Sequence, residues 1–198
     1  MKCPLIALLL PLPFTALAAP SFDCAKASGE VEQLICKDAA LARLDNQLSA
    51  LWPKAIKGMS DEEKKQEKAM QRGWIKGRNE CWKGSDVRAC VEQNYLTRIA
   101  ALQIKGGQVM VPAPVGYRCG DTRLTVYFYN ETAQSAAVIN LSDKGAAPQQ
   151  LLAFNVRTAS GAKYEGQNLS LWTKGKEALL ERYGQPDSQC QEITVSAE

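Results

Sequence analysis

Arg123-Leu124-Thr125-Val126-Tyr127-Phe128 decides how the second half of the chain is read. Leu124, Val126 and Phe128 alternate with Arg123, Thr125 and Tyr127, the period of two expected of a strand with one buried face. Short apolar runs follow at Ala136–Leu141, Leu151–Val156, Leu169–Trp172 and Ala178–Tyr183. Turn formers separate them: Asp143-Lys144-Gly145, Ser160-Gly161, Lys174-Gly175 and Gly184-Gln185-Pro186-Asp187. Short strands at even spacing over about 75 residues predict an antiparallel barrel or sandwich. Cys119 and Cys190 bracket the run and are expected to tie its ends.

Towards the N-terminus the texture changes. Gln103–Gly116 contains Gly106-Gly107 and Val111-Pro112-Ala113-Pro114 without apolar periodicity, so it reads as a linker. From Asp23 to Leu102 the spacing is helical. Val31, Leu34, Ile35, Leu41, Leu44, Leu48, Leu51, Trp52 and Ile56 recur at threes and fours, one stripe along a helix. Gly58 ends that stripe. Ser60, followed by Asp61-Glu62-Glu63, predicts an N-cap with a glutamate at the third position, opening a second helix through Met70, Trp74 and Cys81. Gly84-Ser85-Asp86 marks another break, and Val91–Leu102 a last helical stretch.

A hairpin of helices turning near Met59 places Cys36 and Cys81 at nearly equal distances from the turn, with Cys24 and Cys90 farther out. The expected bridges are therefore nested, Cys24–Cys90 outside Cys36–Cys81. A small helical domain with a thin core needs such staples.

Residues 1–18 read as a secretory signal: Lys2, an apolar run from Leu5 to Leu17, and a small-residue site at Ala16-Leu17-Ala18, with cleavage expected after Ala18. Cys3 falls too early, and Cys24 in too poor a context, for a lipid anchor, so a protein without a membrane anchor is expected, periplasmic or secreted. Of seven cysteines, Cys3 leaves with the signal. The even number that remains, in an oxidising compartment, favours disulfides over metal binding. The chain has no histidine and no C-x-x-C pair, so no metal and no cofactor is expected. The formal net charge of +3, one unit of it from Lys2, predicts neither nucleic acid nor a strongly attracted membrane as partner.

Catalytic constellations are missing as well. Without histidine there is no Ser-His-Asp or Cys-His mechanism, and oxidised thiols offer no nucleophile. Paired carboxylates could serve a glycosidase. The acidic residues, however, concentrate in the helical half, as in Asp61-Glu62-Glu63 and Glu67, a pattern of a solvated helix face. A non-enzymatic role is expected.

Two further stretches are distinctive: Thr158-Ala159-Ser160-Gly161-Ala162-Lys163-Tyr164 and Leu171-Trp172-Thr173-Lys174-Gly175-Lys176-Glu177-Ala178. With Tyr117-Arg118-Cys119, the strand Leu124–Tyr129 and Cys190, they resemble the membrane-bound and periplasmic inhibitors of c-type lysozyme (MliC/PliC), over residues 117–191. That resemblance implies a barrel of about eight antiparallel strands and a c-type lysozyme as partner. It also implies a loop that sets a serine and a lysine against the catalytic carboxylates. By motif position these are Ser160 and Lys174, with Tyr164 as the motif tyrosine; Thr158 replaces the serine of many members and keeps its hydroxyl. Gly161, Thr173 and Gly175 complete the candidate lysozyme-binding set. The helical half, residues 23–102, resembles the LprI N-terminal domain through Ser21–Ala27, Glu32–Cys36, Leu44-Asp45, Gln71–Trp74, Arg78–Cys81 and Cys90. The expected class is thus α+β in two domains, a disulfide-stapled α-helical hairpin or bundle followed by a small antiparallel β-barrel.

A local rule bears on the serine and lysine. A hairpin turning at Gly166-Gln167-Asn168, centred on Gln167, opposes Ala162 to Trp172 and Ser160 to Lys174. Opposed residues share a face with Cβ atoms roughly 4.5–5.5 Å apart. The competing reading is a non-catalytic envelope-binding module for peptidoglycan or a periplasmic protein. For glycan it would use Tyr127, Tyr129, Tyr164 and Trp172 on one barrel face.

Overall fold

A computed structural model describes residues 19–195; the expected signal and its cleavage site lie outside the described residues. A 3-10 turn, Cys24–Lys26, precedes four helices: α1 (Glu30–Lys37), α2 (Ala39–Ile56), α3 (Asp61–Asn79) and α4 (Val87–Lys105). Eight strands follow: β1 (Val115–Cys119), β2 (Thr122–Tyr129), β3 (Ala136–Ser142), β4 (Gln149–Val156), β5 (Ala162–Gly166), β6 (Leu169–Lys174), β7 (Glu177–Arg182) and β8 (Ser188–Ile193). Each strand pairs antiparallel with its sequence neighbour, and β8 pairs with β1 to close a barrel. Closure removes the exposed edges that an open sheet would present. No helix of the described residues is long and apolar enough to cross a membrane.

The first helical stripe is two helices, not one. Asp38 takes φ −102° and ψ 109°, and its carboxylate accepts from the amides of Ala40 and Leu41 at 2.8 and 3.1 Å. An aspartate that caps so well interrupts an apolar period that by itself continues. The bonds from Leu41 and Ala40, with the Arg88 guanidinium, hold the Asp38 carboxyl below its ordinary range. α3 opens as expected, with Ser60 and Glu63 forming a reciprocal capping box.

This break overturns the nested bridges. The disulfides are Cys24–Cys36 and Cys81–Cys90, with only Cys119–Cys190 as expected. A continuous hairpin would have put Cys36 opposite Cys81. With the chain bent at Asp38, α1 is a short separate arm, and Cys36 meets the 3-10 turn preceding it. Likewise Cys81 closes the Gly84-Ser85-Asp86 break onto α4. Each bridge staples a bend within one segment.

The helical core gathers Val31, Ile35, Leu41, Leu48, Val91, Tyr95, Ile99 and Leu102. α4 ends against α2 so closely that a Cβ at Gly106 would stand 2.6 Å from the Ala55 Cα. In the barrel, Leu124, Val126, Ile139, Leu171 and Leu180 fill the interior, and Cys119–Cys190 crosses the β1–β8 seam. The two halves touch where the Ala133 amide, between β2 and β3, donates to Gln103 Oε1 of α4 at 2.9 Å.

Candidate functional site

Up-and-down order places the β2–β3, β4–β5 and β6–β7 connections at one end of the barrel. The β4–β5 connection contains Ser160 and Gly161; the β6–β7 connection is Gly175-Lys176, directly after Lys174. Ser160, Gly161, Lys174 and Gly175 are exposed and Thr173 is half-buried. Five of the six candidate residues therefore meet at one rim. Tyr164 does not. It lies inside the barrel, 5% exposed, its ring 5.2 Å from that of Phe128, and burial raises its hydroxyl pKa. It is a packing residue behind the rim.

The register differs by one from the sequence expectation. Gly166 pairs with Leu169 across Gln167-Asn168, so Ala162 opposes Thr173 and Lys163 opposes Trp172. Asn168 adopts φ 59°, a left-handed conformation that asparagine tolerates, and the turn closes in two residues rather than three. Directly opposed residues share a face. Trp172 and Lys174 thus project outward with Lys163, and Ser160 has no strand partner.

Two contacts hold the Ser160-Gly161 turn against the end of β6. The Trp172 indole Nε1–H donates to the Ser160 carbonyl at 2.8 Å. Gly161 then turns with φ 70° and passes so close to β6 that a Cβ there would lie 2.3 Å from the Thr173 oxygen and 3.3 Å from the Lys174 Cβ. Both the dihedral and the clash demand glycine. The Thr158 hydroxyl adds a 3.4 Å bond to the same Ser160 carbonyl. The Ser160 backbone is held while its hydroxyl stays without a hydrogen-bond partner among the described residues.

Charge distinguishes the rim from the wall below it. Lys163 lies 3.1 Å from Glu181 and 3.5 Å from Glu165, and the Glu181 bond foremost raises its pKa. Arg157, Lys174 and Lys176 have no carboxylate within ion-pair distance among the described residues. Glu177 opposes Lys174 across β6–β7 without closing a bridge. The rim can therefore offer a hydroxyl and several unneutralised donors to an acidic partner. Sequence reading missed the Trp172 clamp, Arg157 and Lys176. Trp172 and Lys176 stand within the distinctive stretch Leu171–Ala178, but only the tertiary contact shows that the indole holds the serine loop.

The aromatic face expected for glycan binding does not form. Tyr129 and Tyr164 are buried, leaving Tyr127 and Trp172 half-exposed.

Comparison with known proteins divides the chain at the same place. The family described as membrane-bound lysozyme-inhibitor of c-type lysozyme (MliC) matches residues 117–189, and that described as lysozyme inhibitor LprI matches residues 24–102. Lipoprotein LprI of Mycobacterium tuberculosis is 33% identical over 169 residues, 84% of this chain and 82% of that protein. Membrane-bound lysozyme inhibitors of C-type lysozyme match shorter stretches. The one from Yersinia enterocolitica is 34% identical over 85 residues, 42% of this chain and 67% of its own length. That from Pseudomonas aeruginosa is 33% identical over 101 residues, 50% and 72% respectively.

Proposed function

The chain belongs to the LprI family and carries an MliC domain, and on that premise we propose that it is a non-catalytic inhibitor of c-type lysozyme whose barrel rim plugs the enzyme's active-site cleft. Three disulfides suit folding in an oxidising compartment, periplasmic or outside the cell. The observation that carries the reading is the clamped loop: Trp172 and Gly161 hold the Ser160-Gly161 turn against the end of β6 that carries Lys174, with the serine hydroxyl and lysine ammonium unpaired among the described residues.

Lysozyme cleaves with one carboxylic acid and one carboxylate flanking the scissile bond. An ammonium has three donors and no acceptor, so it suits two acceptor-rich carboxyl groups. In this reading Lys174 enters the cleft and satisfies one carboxylate, while the Ser160 hydroxyl bonds the other. Gly161, Thr173 and Gly175 form the narrow backbone edge that lets both reach in. Arg157 and Lys176 flank the loop and favour approach to an acidic cleft. Because the loop is ordered by its own contacts, little conformational entropy is lost on binding.

The test is inhibition of a vertebrate c-type lysozyme by the purified protein beside Lys174→Ala and Ser160→Ala/Lys174→Ala. Losing a desolvated ammonium–carboxylate contact costs about 2–5 kcal/mol, so Lys174→Ala should weaken inhibition at least tenfold. The double variant should leave none at comparable concentration. A smaller change sinks Lys174 as the plug, and full inhibition by the double variant moves the active surface to the helical half.

A further inference from the structure

The opposite end of the barrel carries a second, differently built surface. There the β5–β6 turn, Gln167-Asn168, meets the β7–β8 connection, residues 183–187. Tyr183 stands at their junction. It is 87% exposed, among the most exposed large apolar side chains of the protein. Its backbone is nonetheless fixed: the Tyr183 amide donates to the Asn168 carbonyl at 3.0 Å, and that of Gln185 to the Arg182 carbonyl at 3.1 Å. A tyrosine on a floppy tip would need no explanation. Here the Asn168 bond extends the β6–β7 ladder one position past Leu169 and Arg182, so the backbone beneath the exposed ring is ordered.

Depressions of about 340 and 380 Å³ flank the ring. Both are open to solvent rather than enclosed. The first has an apolar floor in Leu151 and Leu169, with four carboxamides around it, Gln149, Gln167, Asn168 and Gln185. None of these carboxamides uses its side chain in a hydrogen bond among the described residues, and all are exposed. Each can both donate and accept.

Charge narrows the ligand class. The charged groups lining the first depression, Asp143 and Arg182, bond each other at 2.8 Å. Asp143 also accepts from the Thr122 hydroxyl, and that bond, ahead of Arg182, lowers its pKa. In the second depression Lys163 is matched by Glu165 and Glu181. Lys163 offsets one of these two carboxylates and Arg182 is taken by Asp143, so no unneutralised positive charge remains to hold an anion. What is left is a planar apolar ring beside groups that donate and accept, which is the chemistry of a sugar: C–H faces stack on an aromatic ring while hydroxyl and acetamido groups bond carboxamides.

The geometry points to a saccharide-binding groove centred on Tyr183, taking a neutral N-acetylated glycan chain that lies across the ring into both depressions. It is independent of the lysozyme reading and sits at the other end of the barrel from Ser160 and Lys174. A protein held by this end on a glycan would present its opposite rim outward.

The probe is tri-N-acetylchitotriose, added without lysozyme to the isotope-labelled protein and followed by backbone amide NMR. Saturable shifts are expected at 166–169 and 182–185. Tyr183→Ala should weaken binding at least tenfold, Tyr183→Phe should retain it, and Ser160→Ala/Lys174→Ala should leave it unchanged. The absence of saturable shifts at millimolar sugar overturns the proposal. So do shifts confined to the Ser160 rim or the helices, or equal affinity in Tyr183→Ala.

Discussion

The helical half and the barrel are stabilised by different means. The barrel buries an apolar interior, and its buried polar residues are the uncharged Thr122 and Ser170. The helical half buries Asp45, Glu67, Arg78 and Arg98. α3 is the extreme case: the residues it buries are Glu67 and Arg78, both charged. Arg78 donates to the Tyr95 hydroxyl at 2.6 Å, which donates to Asp45 at 2.8 Å. Asp45 also accepts from the Ser21 amide at 2.7 Å. Glu67 receives Arg98 at 2.8 Å, and Lys105 from the surface. A helix with so few apolar residues is thus docked by paired charges and the half-buried Trp74, whose indole donates to the Asn94 carbonyl at 3.2 Å. Such pairs give limited net stability when intact and a large penalty when one partner is lost.

That contrast predicts the largest effect. Glu67→Ala leaves Arg98 buried without its carboxylate and should cost about 3–5 kcal/mol. Urea unfolding followed by helical circular dichroism should show it, with the barrel's amide spectrum unchanged. A cost below 1 kcal/mol, a typical single neutral hydrogen bond, would mean that α3 is held by something else.

The disulfides sharpen the comparison. Cys119–Cys190 spans 71 residues, whereas Cys24–Cys36 and Cys81–Cys90 span 12 and 9. Loop-closure entropy makes removal of the long bridge worth about 4 kcal/mol and of either short one about 3. Serine pairs at each bridge, compared by denaturant midpoint, should keep that order. Peptide mapping of the oxidised protein should recover Cys24 with Cys36.

Gly161→Ala should cost about 1–2 kcal/mol from the left-handed backbone, beyond any clash with β6. Its larger consequence is local: the Ser160 loop must move off Trp172, so lysozyme inhibition should fall further than barrel stability. Equal inhibition would detach the clamp from function.

The smallest effect is on pH. Burial alone would raise the Glu67 pKa, but hydrogen bonds from Lys105 and Arg98 outweigh it, leaving the group below its ordinary 4.5. A depressed carboxyl contributes stability above the unfolded value and loses it as pH falls through the folded one. The helical half should therefore weaken below about pH 4.5, and Glu67→Gln should flatten that acid slope relative to the wild type.

Much of this was legible in the sequence. The alternation at Leu124–Phe128 announced the strands, because the period of two follows from the pleat alone. Ser60 and Glu63 announced the start of α3, because a capping box is local chemistry. The rim serine and lysine were legible as motif positions. Tyr164 was misplaced because a motif does not say which face of a strand it occupies. Without a register, parity along β5 cannot be tied to inside or outside.

By itself the sequence determined the α-then-β order, the period of each half, and a seam closed by Cys119 and Cys190, since all three depend on spacing along the chain. Tertiary structure alone decided the rest. It chose the pairing of the four helical cysteines, because one capping aspartate redirected α1. It chose the β5–β6 register, because Asn168 could close the turn in two residues. It also brought the Trp172 indole onto the Ser160 carbonyl. Each of these depends on how bends place distant atoms in space, which periodicity does not encode.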